Sequence, residues 1–216
     1  MEYYYAVKRG KRKGVFKSLS ACMDQVKGFP DAVFKRCDTA EEAEEFIYEN
    51  PVTALEKTDC TAYVGGTYNP LSQAYIAAVS FKVDDKTENI YKLFNTFETR
   101  DDNLFSDKDS DMFSVSEYEF SELTDCAGEV MATILAISYA ISIRCKSITI
   151  FHTKACVGAW PLNIWSTDNL SSAIYKRYID SVKSLIDIQF FKISSVDERE
   201  FVENMCKEAK KELNCH

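Results

Sequence analysis

The stretch Cys126–Ile143, "CAGEVMATILAISYAISI", decides the fold class. Among its eighteen residues only Glu129 carries a charge. A helix apolar on every side is buried on every side, so the pattern predicts a helix from about Glu122 to Arg144 inside a layered domain. "KSITIFHT" follows it, apolar without alternation, as a central parallel strand reads. Then come an amphipathic helix, "NLSSAIYKRYIDSVKSLID", with Leu170, Ala173, Ile174, Val182 and Leu185 expected to face inward, a strand, "IQFFKIS", and a last helix, "DEREFVENMCKEAKKEL". Three strands precede the buried helix: "TAYVGGTYN", "SQAYIAAVSFKV" and "ENIYKLFNTFET". Short turns join them, as in an antiparallel meander. The order predicts an α/β domain over 60–216 whose mixed five-stranded sheet is flanked by helices. Between the third strand and the long helix lies an acidic insertion, 100–122, expected to be a surface loop.

The first fifty residues read as a separate ββαβα module. Ser18 can cap a helix over "SLSACMDQV", and Thr39 with Glu42 fits a capping box before "AEEAEEFI". Pro51 ends the module, and 51–59 reads as a linker. Net charge is −8, but residues 1–36 hold nine Lys and Arg against three Asp and Glu. That surplus of six positive charges leaves −14 for the remainder. A basic module that touches an anion, on an acidic body, fits this split; a solvated basic turn at Lys8–Lys13 fits it too. The eight cysteines form no C-x-x-C pair or zinc spacing and read as reduced thiols. With no apolar leader or membrane-spanning run, the expected location is cytoplasmic, with no membrane partner.

Glu129 is the strongest candidate for chemistry, because a lone carboxylate in an apolar helix must be paired, hydrated or metal-bound. Glu203 is open to two readings, a functional carboxylate or a surface partner of Lys207 one turn on. His152 ends a strand, and Thr153 after it suits capping of the turn at "TKACVGAW". Gly65–Gly66 lacks the pattern of a nucleotide cradle.

These pieces resemble a known family. "YYAVKRGKRKGVFKS…CMDQVKGFPDAVFKRC" is similar to the hybrid-binding domain of eukaryotic-type ribonucleases H, shared with viroplasmin-type viral proteins. "AYVGGTYN", "AGEVMATILAISYA", "SITIF" and "FVENMCKEA" resemble the ribonuclease H catalytic domain over most of 60–213. The resemblance implies two-metal phosphodiester hydrolysis, with Mg²⁺ or Mn²⁺ held by four carboxylates. The family's first-strand Asp falls on Gly65, its helical Glu on Glu129, its fourth-strand Asp on Thr153 and its last-helix Asp on Glu203. The histidine loop before the last helix is reduced to "ISSVDERE".

The resemblance therefore implies a degenerate catalytic site with no cofactor. Glu129 and Glu203 would be the metal ligands only if a site survives. Asp59, Asp125 or the insertion would have to rebuild one. For the module it implies nucleic-acid contacts by Tyr5, Phe34, Lys35 and Arg36, with Leu19 where the family has Trp. Tyr5 and Phe34 also read as plain core aromatics. The expected function is binding of RNA/DNA hybrid or double-stranded RNA. The alternatives are an active hybrid endoribonuclease and a scaffold for a protein partner.

Overall fold

The computed structural model describes residues 3–48, 57–69, 74–95, 123, 126–167 and 169–213. The acidic insertion 100–122 and Asp125 lie outside them. The chain divides into two compact units, Met1–Ala54 with Leu162–Ser166, and Leu55–Pro161 with Thr167–His216.

The first unit runs β1 (Tyr4–Arg9), β2 (Gly14–Phe16), α1 (Leu19–Val26), β3 (Val33–Cys37) and α2 (Ala40–Ile47). Its three strands pair antiparallel in the order β2-β1-β3. Side chains alternate along β1, so the sheet has two apolar faces. Val7 packs with Cys22 and Val26 of α1, whereas Ala6 packs with Ala43 and Ile47 of α2. Both caps form: Ser18 Oγ accepts from Ala21 N–H at 3.2 Å and Thr39 Oγ1 from Glu42 N–H at 3.1 Å. The capping box stays half made, because the Glu42 carboxylate goes instead to Asp38 N–H and to Lys35.

The second unit runs β4 (Cys60–Asn69), β5 (Ala74–Val83), β6 (Lys86–Asn95), α3 (Ala127–Ser142), β7 (Ser147–His152), α4 (Ala155–Ala159), α5 (Leu170–Val182), β8 (Asp187–Lys192) and α6 (Val196–Glu212). The sheet order is β6-β5-β4-β7-β8. The meander β4–β5–β6 is antiparallel, and β7 lies parallel to both β4 and β8. Helix α3 covers one face and α6 the other. Gly66 is what lets α3 lie so close. A Cβ there would stand 2.3 Å from the carbonyl carbon of Gly128 and 2.4 Å from Glu129 N, so backbone meets backbone.

Three expectations need correcting. α3 is shorter than the apolar run, starting at Ala127 and ending at Ser142, because Arg144 turns into the left-handed region at φ 65. α5 ends at Val182 and presents a different face: Leu170 is 64% exposed, Ala173 exposed and Ile174 half-buried, while Leu185, in the turn beyond the helix, is 53% exposed. Its buried face carries Tyr175, Tyr178, Ile179 and Val182. The tyrosine hydroxyls reach partners inside, Tyr175 donating to Val157 O at 2.9 Å and Tyr178 sharing a 2.9 Å bond with Ser138 Oγ. A satisfied hydroxyl removes the penalty for burying the large ring, so the tyrosines outcompete the leucines. Finally, "TKACVGAW" holds the buried helix α4, and Thr153 is not its cap.

Candidate functional site

The carboxylate site is built where α3, β4 and the end of β7 meet. Glu129 sits in the first turn of α3 and is 2% exposed. Three donors close on its carboxylate. Oε1 accepts from Thr153 N–H and, at 3.0 Å, from Lys154 N–H. Oε2 accepts from the Thr153 hydroxyl at 2.7 Å. Burial pushes this carboxyl above its ordinary range, and the bonds from Lys154 and Thr153 offset part of that rise. Beside it His152 is fully buried, and desolvation lowers its imidazole to about 3. The neutral ring lies 3.0 Å from Lys154 O through Nδ1, as a ring N–H donating to that carbonyl.

Gly65 faces the opposite way from Gly66, toward α6. A Cβ on it would stand 2.8 Å from both Cys206 Sγ and Val202 Cγ1, and 3.2 Å from Met205 Cε. The space a side chain would need is filled by α6, whose buried face is Val202, Met205, Cys206 and Ala209. Glu203 projects from the exposed side of the same helix. Its expected partner Lys207 donates instead to Asn204 Oδ1, at 3.2 Å. Burial, then the nearby Glu129 charge, raise the Cys206 thiol to about 11. A neutral thiol and two apolar side chains thus stand beside Gly65. Asp59 sits at the far end of β4, about 20 Å along the strand from Gly65, and its carboxylate accepts from Lys146 N–H at 2.8 Å. Among the described residues no three His, Cys, Asp or Glu side chains gather as a metal site. The donors present do not suit a pair of divalent ions, which need several free hard oxygens.

In the first unit, Tyr5 stands opposite Arg36 and Val7 opposite Phe34. Tyr5, Phe34 and Arg36 therefore share the α1 face of the sheet. Phe34 is 45% exposed, Leu19 51%, and Met23, one turn beyond Leu19, 39%. Tyr5 is half-buried and packs on the Val7–Cys22–Val26 cluster. The Arg36 guanidinium lies 4.5 Å from the centre of the Tyr3 ring. Lys35 is on the other face. Its ammonium bonds Glu42 Oε1 at 2.7 Å and lies 5.9 Å from the centre of the Phe46 ring, with Lys8 5.6 Å from the same ring. Met23 and Tyr3 were not singled out from the sequence. The four-residue spacing of Leu19 and Met23 on a helix was the available signal. The Val202–Met205–Cys206 wall gave none, since it reads as an ordinary core stripe.

The comparisons with known proteins follow the same division. Residues 3–47 match the family model for the ribonuclease H1 N-terminal domain. Mouse ribonuclease H1 is 52% identical over 44 residues, which is 20% of this chain and 15% of that protein. Ribonuclease H of Schizosaccharomyces pombe is 28% identical over 123 residues, 55% of this chain and 42% of that one. The chain thus spans only part of the length of these relatives. Among solved structures, RNase H1 of Halobacterium salinarum superposes with a TM-score of 0.51 at 12% identity, covering 71% of this chain and 98% of that one. LC11-RNase H1 in complex with RNA/DNA hybrid gives 0.51 at 10% identity, over 71% and 98%. The chain is an RNase H1-like protein, with a ribonuclease H1 N-terminal module at residues 3–47 ahead of a domain of the RNase H1 fold.

Proposed function

We propose that this protein binds RNA/DNA hybrid or double-stranded RNA through its N-terminal module, and that its second domain does not cut the bound strand. One observation carries the second half: the Glu129 carboxylate has both oxygens engaged by Thr153 and Lys154, while Gly65 faces a packed wall. Two-metal hydrolysis needs anionic oxygens that converge on the reacting phosphate with lone pairs free for cations. Here one buried carboxylate is satisfied by protein donors, and Glu203 stands exposed. Preorganised electrostatic stabilisation is usually the largest single catalytic contribution, so with it lost cleavage is expected to fall well beyond ~10³-fold.

Support for the first half is the family match over residues 3–47 together with the exposed Phe34 and Arg36 on one sheet face and the exposed Leu19 on helix α1, which packs on that face. A guanidinium beside flat and apolar groups can hold a phosphate while its neighbours pack on sugar and base edges. The excess of basic residues in 1–36 adds a salt-dependent attraction.

The deciding experiment incubates purified protein with end-labelled RNA/DNA hybrid in Mg²⁺ and in Mn²⁺, beside a binding titration. Binding without products is the expected result. Metal-dependent products that vanish in Glu129→Gln would establish a hybrid endoribonuclease instead. Neither binding nor products would leave the scaffold reading.

A further inference from the structure

Among the described residues, α6 covers its face of the sheet only in part. Alternate residues of β4, β5 and β6 reach this face. Ile76 and Ala78 of β5 cluster there with Val202 and Met205 of α6. Further along β5, two rows lie in register on the same face, Tyr63–Ser80–Asn89 and Thr61–Lys82–Thr87. They floor a cleft of about 380 Å³. Its wall is the side of α6 that carries Phe201, Asn204, Met205 and Glu208, spaced as one helical face requires. Two features of this cleft are left over by folding. Ser80 is 6% exposed, yet its hydroxyl has no protein partner among the described residues, and a buried hydroxyl normally has one. Phe201 leaves 45% of its surface exposed although its position is fixed. It meets the Tyr63 ring edge-on at 5.2 Å, and Tyr63 is held by stacking on Phe151 at 4.8 Å and by donating to Glu198 Oε1 at 3.2 Å. The Lys82 ammonium is exposed and pairs with no carboxylate among the described residues.

We propose that this cleft is a binding site for a single free nucleotide. Phe201 supplies a rigid aromatic surface for a base, whatever its identity. The Asn89 side chain offers an amide donor and acceptor side by side, the pattern that pairs with a base edge. Ser80 and Thr61 add hydroxyls from the floor, and Lys82 is the point charge for the phosphate. Size and charge select one nucleotide over a strand. Three strands about 4.8 Å apart give a floor roughly 10 Å across, the width of one nucleoside. Past Lys82 the surface continues to Asp59, Asp84 and Asp85, and Glu208 closes the α6 side. These carboxylates repel a second phosphate on either side. The site uses none of the residues proposed to touch hybrid, so the two readings fail separately.

The test titrates the isotope-labelled full chain with the ribonucleoside 5′-monophosphates, with the matching nucleosides and with a tetranucleotide, following backbone amide shifts. Mononucleotides should give saturable shifts at Thr61, Ser80, Asn89 and Asn204, with nucleosides about tenfold weaker for want of the charge-assisted contact. Lys82→Ala should bring the nucleotide down to the nucleoside's affinity and leave the nucleoside unchanged. Phe201→Ala, a change at an exposed position, should weaken both roughly tenfold, and Phe201→Tyr, which keeps the ring, should weaken neither. The tetranucleotide should bind no tighter than the mononucleotide. No saturable shifts in the cleft up to about 10 mM mononucleotide would overturn the proposal. So would shifts confined to residues 3–47, a Lys82→Ala loss equal for nucleoside and nucleotide, or a tetranucleotide that binds in the cleft roughly a hundredfold tighter, as a strand site would.

Discussion

The Thr153 hydroxyl donates to Glu129 Oε2 at 2.7 Å. The residue that stands where the family resemblance places an aspartate therefore supplies a donor to its neighbour, where an aspartate would supply a second negative charge. A cation is not needed to balance Glu129 in this arrangement. Removing the hydroxyl from a buried charged partner should be costly. Thr153→Val is expected to lower stability by about 1–3 kcal/mol, with Thr153→Ser close to wild type. Urea denaturation at neutral pH measures both. Equal midpoints for the valine and serine variants would contradict the bond's role.

Restoring the family carboxylate at Gly65 should fail for a packing reason. A Cβ at this position meets Cys206 and Val202 at 2.8 Å, and both are short side chains with little room to swing. Gly65→Ala should cost about 1–3 kcal/mol by overpacking alone. Gly65→Asp should cost more, because it also buries a charge among Val202, Met205 and Cys206. The pair Gly65→Asp with Thr153→Asp is expected to remain inactive toward hybrid. Cleavage recovered by that pair, without changes in α6, would show that the wall yields.

Two buried groups in contact with this site give opposite pH trends. The Glu129 carboxyl lies above its ordinary range because of burial. The folded protein then binds its proton more tightly than the unfolded chain does. This contribution is complete below the ordinary carboxylate pKa and is lost as pH rises through the folded value. The His152 imidazole is lowered to about 3 by burial. Its contribution is complete above about 6.5 and is lost as pH falls toward 3. Stability measured from pH 3 to 8 should therefore fall toward both ends. Glu129→Gln should flatten the high side and His152→Gln the low side. Overlapping profiles for wild type and Glu129→Gln above pH 5 would sink the carboxylate half.

Much of this arrangement was legible in the chain. An eighteen-residue run with one charge marked α3 as buried and Glu129 as the group needing a partner. Unbroken apolar character marked β7 as central. What the sequence could not carry was side-chain competition. Period alone favours Leu170, Ala173 and Ile174 on the buried face of α5, and only the partners at Val157 O and Ser138 reveal why tyrosines bury there instead. Nor could it tell that Gly65 and Gly66 answer to different helices. Alternation puts neighbours on opposite faces, but which helix lies on each face is a tertiary fact. Thr153 illustrates the same limit, since a hydroxyl before a helix reads as a cap until the carboxylate from α3 is placed beside it.

The last prediction separates two neighbouring cations that the sequence offered together as phosphate contacts. Arg36 shares with Tyr5 and Phe34 the sheet face on which α1 packs, and α1 itself exposes Leu19 and Met23. Lys35 points to the α2 face and holds Glu42 at 2.7 Å. A phosphate approaching Lys35 must compete with that carboxylate, whereas the Arg36 guanidinium rests on the Tyr3 ring and pairs with no carboxylate among the described residues. Arg36→Ala should weaken hybrid binding roughly tenfold and reduce the salt slope by about one. Lys35→Ala should change affinity by less, at roughly threefold or under, and it removes an exposed ion pair of little stabilising weight. Phe34→Ala should weaken binding with the salt slope intact, since the ring carries no charge. Titrations across a salt series read all three. A Lys35→Ala loss equal to that of Arg36→Ala would place the phosphate path on the α2 face and overturn the assignment.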